Sequence, residues 1–135
     1  MYVLDACAVI AALSNEKGAD KVEAAYSEAS SGNAKIIINI VNLLEVYYDD
    51  YRVHGKESAD KMVESIIASP TTVVSEIKQD IFAEAGRLKA NYRISLADAF
   101  VLAQTKVANG ILLTSDHHEF DIIEAKEPIQ FLWIR

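Results

Sequence analysis

Four acidic residues, Asp5, Glu45, Asp98 and Asp116, stand where folding alone gives little reason for a carboxylate. Asp5 follows the apolar run Tyr2-Val3-Leu4, and Asp116 comes two places after Ile111-Leu112-Leu113-Thr114. Both runs are short and apolar, as buried strands are. Glu45 falls in the second turn of a helix that begins right after another such run, Lys35-Ile36-Ile37-Ile38. Asp98 falls in the first turn of a helix opened by Ser95. In open α/β folds, ligands sit in the crevice beyond the carboxyl ends of the strands, so acids at those ends face a site. Like charges gathered there raise one another's pKa steeply, and a hard divalent cation relieves them. An all-oxygen donor set suits Mg²⁺ or Mn²⁺, whereas zinc prefers His and Cys.

Each acid taken singly has a plainer reading. Asp5 can cap the helix that follows it, Ser95-Leu96-Ala97-Asp98 has capping-box spacing, Glu45 can be a solvated helix residue, and Ser115-Asp116 can begin a turn. Four unrelated roles would not place every acid at one end of a sheet. A divalent ion held there lowers the pKa of an attacking water and neutralises a phosphate and its leaving oxygen, so the cluster suits phosphodiester hydrolysis. Asp5, Glu45 and Asp98 are then the expected direct or water-bridged ligands. Asp116 completes the cage or orients a metal-bound water, with Thr114 and Ser115 placed to hold a water or phosphate oxygen. Arg87, Lys89 and Arg93 precede the Asp98 helix and can meet a nucleic-acid backbone, though a solvated helix face explains them equally well. Asp49, one turn beyond Glu45, is expected at the periphery. Cys7 lies in an apolar run and reads as a small buried hydrophobe rather than a thiol nucleophile. His117-His118 reads as part of a polar turn.

The elements that would carry these residues follow from periodicity. Tyr2–Leu4 is a strand leading into the small-residue helix Ala6–Leu13. After the break at Ser14-Asn15-Glu16, Ala19, Val22, Tyr26 and Ala29 recur at helical spacing as far as Gly32. Asn39 caps a helix whose Leu43, Leu44, Tyr47 and Tyr51 share one face while Asn42, Glu45 and Asp49 share another. Gly55 stops it, and Ala59, Met62, Val63, Ile66 and Ile67 mark the next helix, which ends before Pro70. Thr71–Val74 is a strand, Ile77, Ile81, Ala85 and Leu88 a helix, and Asn109-Gly110 ends the Asp98 helix ahead of the strand Ile111–Thr114. Ile129, Phe131, Trp133 and Ile134 make a last strand. Short apolar strands alternating with helices predict an α/β fold around a parallel sheet covered on both faces.

At 135 residues with 51% hydrophobic side chains, 5 Gly and 2 Pro, residues 1–135 are expected to form a single domain with no linker. One Cys excludes an internal disulfide. No stretch joins a basic start to an apolar core and a small-residue cleavage site, and no apolar run suffices for a bilayer span. A cytoplasmic location without membrane contact is the expectation. The net charge of −7 excludes a general nucleic-acid coat protein, which would carry a basic face.

Four segments together resemble the motifs of PIN-domain ribonucleases. They are Val3-Leu4-Asp5 with its small apolar helix, Asn42-Leu43-Leu44-Glu45-Val46, Leu96-Ala97-Asp98-Ala99-Phe100-Val101-Leu102-Ala103, and Leu113-Thr114-Ser115-Asp116-His117-His118-Glu119-Phe120. Their order and the length are similar to the VapC-type toxins of toxin–antitoxin pairs, over essentially the whole chain. The resemblance implies a PIN-like three-layer α/β/α fold with a short central parallel sheet, and Mg²⁺- or Mn²⁺-dependent endoribonuclease activity on RNA. It also implies inhibition by a cognate antitoxin and a homodimer, and it matches Asp5, Glu45, Asp98 and Asp116 to the acidic positions. A hydroxyl residue is common two places after the first acid; Cys7 stands there, which puts a supporting hydrogen bond in question. Two rival readings remain: a non-catalytic module that docks RNA or a protein, and a metal-dependent DNA nuclease or phosphatase.

Overall fold

The computed structural model describes every residue, Met1–Arg135, as five strands and seven helices. In chain order these are β1 (Tyr2–Leu4), α1 (Ala6–Leu13), α2 (Ala19–Ser30), β2 (Ile36–Asn39), α3 (Ile40–His54) and α4 (Lys56–Ala68). There follow β3 (Thr71–Val74), α5 (Gln79–Asn91), α6 (Leu96–Val107), β4 (Ile111–Thr114), α7 (His117–Lys126) and β5 (Gln130–Trp133). All four strand pairings are parallel, in the order β3-β2-β1-β4-β5. The chain builds outward from β1 in one direction, then returns to β1's other edge with β4. That reversal opens a crevice between the carboxyl ends of β1 and β4, where Leu4 lies in register with both Ile38 and Leu113.

Alternation along the strands feeds two cores. Val3, Ile37, Leu112 and Phe131 face α5, α6 and α7, joined by Ile81, Leu88, Leu102, Phe120 and Ile123. Leu4, Ile36, Ile38 and Leu113 face α1 to α4, joined by Val9, Val22, Leu43, Val46 and Ile66. Because both faces are covered, the strands carry no polar alternation and the result is a three-layer α/β/α sandwich. The first three residues of β4 are Ile, Leu and Leu for this reason, and only Thr114, at its end, is polar.

The elements agree with the periodicity, with two differences. Helix α5 begins at Gln79, so Ile77 lies before it and is exposed. Residues expected to form a polar turn after Asp116 instead form α7, with Phe120 and Ile123 buried one turn apart. Asp116 caps that helix, accepting a hydrogen bond from the Glu119 N–H at 3.1 Å. No helix is long and apolar enough to cross a membrane.

Candidate active site

Asp5 sits at the centre of the crevice, almost wholly buried, and three donors hold its carboxylate. The Ala6 N–H reaches Oδ1 at 2.6 Å, while the Cys7 thiol at 3.1 Å and the Thr114 hydroxyl at 2.8 Å both donate to Oδ2. Thr114 Oγ1 in turn accepts from the Asp116 N–H at 3.1 Å, and Cys7 Sγ accepts from the Ser115 N–H at 3.2 Å. One chain of hydrogen bonds thus ties the start of α1 to the turn entering α7. The short α1 can begin here because Asp5 is extended at φ −81°, ψ 159° and caps it.

The helices bring the other acids to the same rim. Asp98 forms a full capping box with Ser95: its N–H donates to Ser95 Oγ at 3.0 Å, and the Ser95 N–H donates to Asp98 Oδ2 at 3.1 Å. The helix-capping and functional readings of Asp98 therefore describe one geometry, since the box uses one carboxylate oxygen and leaves the other. Asn39, buried at the end of β2, caps α3 through Val41 and also donates to Gln104 of α6 at 3.4 Å. Asn42 donates to the Ala97 carbonyl at 3.3 Å. The Asn42 bond joins the first turns of α3 and α6 and the Asn39 bond ties the start of α3 to the middle of α6, bringing Glu45 within reach of the Asp98 charge.

The electrostatics register that convergence. Burial, and then the charges of Asp5, Asp98, Asp49 and Asp116, push Glu45 up to about 7. Burial also lifts Asp5 to about 6 against the thiol and hydroxyl donors, with Asp98 adding repulsion. Buried and beside Asp5, the Cys7 thiol is pushed up to about 12, so it stays protonated and donates. Every ion pair in the chain lies elsewhere, and none of the four acids has a basic partner. That deficit, with an oxygen-only donor set, fits a hard divalent cation. No group of three or more His, Cys, Asp or Glu side chains lies close enough together to hold a metal ion as the side chains stand.

Several sequence expectations need correction. Thr114 is fully buried, and its hydroxyl donates to Asp5. Ser115 is half-buried, and its backbone N–H is engaged by Cys7. Cys7 is no inert hydrophobe: it makes the supporting bond that a hydroxyl would have made. Arg87 is held by Glu84 and by Glu127, at 2.6 and 2.7 Å, beside Lys106 near the far end of α6 from Asp98. Lys89 donates to the Ile94 carbonyl at 2.7 Å, closing the loop before α6. Arg93 is exposed on the approach to Asp98, and unlike Arg87 and Lys89 its charged group is bound to no other residue. His117 lies flat on Trp133, ring centroids 3.9 Å apart, and bonds Asp121 and the Arg135 carbonyl, so it secures the C-terminal strand. The helical spacing of Phe120 and Ile123 was the available signal for α7, and Asn42 had passed only as a residue on the acidic face.

A five-stranded parallel sheet with acids gathered at its switch point defines a class, and the family comparison names it. Residues 2–126 match the PIN domain, and the chain belongs to the PIN-domain family. No curated protein matches it in sequence. Solved structures sharing its fold include DNA-bound VapBC from Salmonella typhimurium, at TM-score 0.76 and 15% identity over 99% of this chain and 98% of that one. VapBC2 from Rickettsia felis, bound to a promoter DNA fragment, gives 0.74 and 17% identity over 97% and 96%. VapC20 from Mycobacterium tuberculosis, a sarcin–ricin loop cleaving toxin, gives 0.65 and 11% identity over 93% and 95%.

Proposed function

We propose that the chain is a Mg²⁺- or Mn²⁺-dependent endoribonuclease and the toxin of a toxin–antitoxin pair. The observation that carries this reading is the set of four carboxylates, Asp5, Glu45, Asp98 and Asp116, brought by different elements to one crevice without a single basic partner. The fold shared with VapBC toxins and with a sarcin–ricin loop cleaving toxin supports it.

When bound, the divalent ion supplies a nucleophilic water and neutralises developing charge on the phosphate. The chain's residues hold the ion and the strand. Asp5 is the most rigid ligand, because three donors fix both its oxygens. Glu45 carries no side-chain hydrogen bond, so its carboxylate is free to turn toward the ion, whose charge would favour the ionised form that burial and the neighbouring acids oppose without it. Asp98 presents the oxygen left over from its capping box, and Asp116 stands at the α7 rim. Arg93 is the side chain placed to meet the RNA backbone.

One partner face is apolar. Between α3 and α4 a cleft of about 590 Å³ is lined by Ile40, Val41, Leu43, Leu44, Tyr47 and Val63, with Asp60 and Glu64 of α4 as its two acids. Exposed Leu44, Tyr48, Tyr51 and Val53 flank it on α3. Contiguous apolar surface of this kind marks contacts. We assign it to a homodimer in the cytoplasm, a state that sedimentation at micromolar concentration tests, and place the antitoxin close to the acidic crevice.

Incubation of the purified protein with RNA, single-stranded DNA and a simple phosphate ester, each with Mn²⁺ or EDTA, decides the function. Cleavage of RNA alone, abolished by EDTA, is the expected result. Cleavage of DNA or of the ester would move the assignment to a DNA nuclease or phosphatase, and no cleavage would leave a binding module.

A further inference from the structure

Only one buried side-chain nitrogen or oxygen in the chain lacks a hydrogen-bond partner, and it is Oδ1 of Asn42. Asn42 is fully buried in the first turn of α3, one turn before Glu45. Its orientation is determined: Nδ2 donates to the Ala97 carbonyl at 3.3 Å, and reversing the amide would set oxygen against oxygen. Oδ1 is therefore a buried acceptor with nothing to accept, between the Glu45 turn of α3 and the Ala97-Asp98 turn of α6 that its own amide bridges. A buried carbonyl in that state destabilises the fold, and leucine, of nearly the same shape, would remove the penalty. Position 42 carries an amide nonetheless, next to two leucines, Leu43 and Leu44.

We propose that Asn42 is a positioning residue for the divalent ion of the acidic site. Its Nδ2 locks the Glu45 turn of α3 to the Asp98 turn of α6, and its Oδ1 accepts a hydrogen bond from a water of the ion's hydration shell. This rests on the metal-site reading above. Mg²⁺ and Mn²⁺ suit such an acceptor, since small hard cations keep several waters and those waters are strong donors. Groups outside the direct ligands orient and tune a metal site in this way. An amide is the suitable acceptor here because it adds no charge to a crowd of carboxylates that already repel one another; an aspartate at 42 would add a fifth.

The test compares wild type with Asn42→Leu and Asn42→Ala. Mn²⁺ affinity is measured by calorimetry and the thermal midpoint is read in EDTA and in saturating Mn²⁺. Asn42→Leu is expected to melt at or above the wild-type midpoint in EDTA, to bind Mn²⁺ about tenfold more weakly or worse, and to lose at least half of the Mn²⁺-induced rise. Asn42→Ala folds without an oversized side chain and is expected to show the same loss of affinity. Wild-type Mn²⁺ affinity in both variants would overturn the proposal and leave Asn42 a packing residue. The metal-site reading has its own control: wild type must bind Mn²⁺, and Asp98→Asn must weaken that binding. Failure there would overturn the metal site itself, a result distinct from failure at Asn42.

Discussion

Asp98 combines two roles that are usually weighed against each other. One carboxylate oxygen completes the cap of α6 and the other is left for the crevice. Asn at this position preserves the cap acceptor while removing one charge from a repelling cluster. Asp98→Asn is therefore expected to lower Mn²⁺-dependent RNA cleavage by roughly a hundredfold or more while the thermal midpoint in EDTA holds or rises. Cleavage at the wild-type rate would reduce Asp98 to a cap. Glu45 and Asp5 give a pH dependence of definite sign. Their folded-state values, about 7 and about 6, lie above the ordinary 4.5 and 3.8, so the folded chain holds protons that the unfolded chain has released. Stability without metal is full below the ordinary values and falls as pH rises through the folded ones. In EDTA the protein should melt lower at about pH 8 than at about pH 5, and saturating Mn²⁺ should shrink or reverse that difference, because the ion binds deprotonated acids. Melting curves across the range check this, and Glu45→Gln should flatten the EDTA profile.

At the scale of elements, the crevice depends on how helix starts are anchored. α1, α3, α6 and α7 each begin at a side-chain cap: Asp5, Asn39, Ser95 and Asp116. Two of the four caps are themselves candidate site residues, so local helix chemistry and the acidic cluster are built from the same atoms. α2 begins differently, at Gly18 with φ +96° and no side-chain cap. There the loop after α1 crosses the chain just beyond β5, and a Cβ on Gly18 would come within 2.6 Å of the Ile134 carbonyl oxygen. Gly18→Ala should cost about 1–3 kcal/mol from the left-handed backbone alone, with the collision adding to it. Chemical denaturation measures this, and a change within experimental error would show that the loop can move away from β5. Because Gly18 lies outside the crevice, Mn²⁺ affinity of the folded fraction should be unchanged.

The whole molecule must act on a polyanion while carrying a net charge of −7. Six of its 13 lysines and arginines are moreover committed to acids: Arg52 to Asp49, Lys56 to Asp60, Lys61 to Glu57, Arg87 and Lys106 to Glu84 and Glu127, and Arg135 to Glu16. Long-range repulsion therefore acts before any contact forms. Affinity for single-stranded RNA should be poor in EDTA and should improve by about tenfold or more with Ca²⁺ as a non-catalytic substitute. Fluorescence anisotropy with labelled RNA reads this directly. Equal affinity in EDTA and Ca²⁺ would place RNA capture outside the acidic crevice, with Arg93→Ala the first variant to examine.

Local information decided much of this protein. Short apolar strands determined the parallel sheet, since a strand buried on both faces has no room for polar alternation, and helical spacing marked six of the seven helices. The acids were legible because each follows such a strand or opens a helix, and in a parallel sheet those points share one edge. What the sequence left open depended on partners far along the chain. Cys7 reads as a hydrophobe until Asp5, Thr114 and Ser115 surround its sulfur. Thr114 shows its bond to Asp5 only once β4 is paired with β1. Arg87 reads as part of a solvated helix face until α7 packs against α5 and brings Glu127 to join Glu84, its neighbour one turn back, around the guanidinium. Helix α7 was obscured by the polar residues at its start, of which His117 meets Trp133 and the Arg135 carbonyl only once β5 has docked. Asn42 is the clearest case: periodicity puts it on the acidic face, but only the packing of α3 on α6 commits its donor to Ala97 and leaves its acceptor buried without a partner.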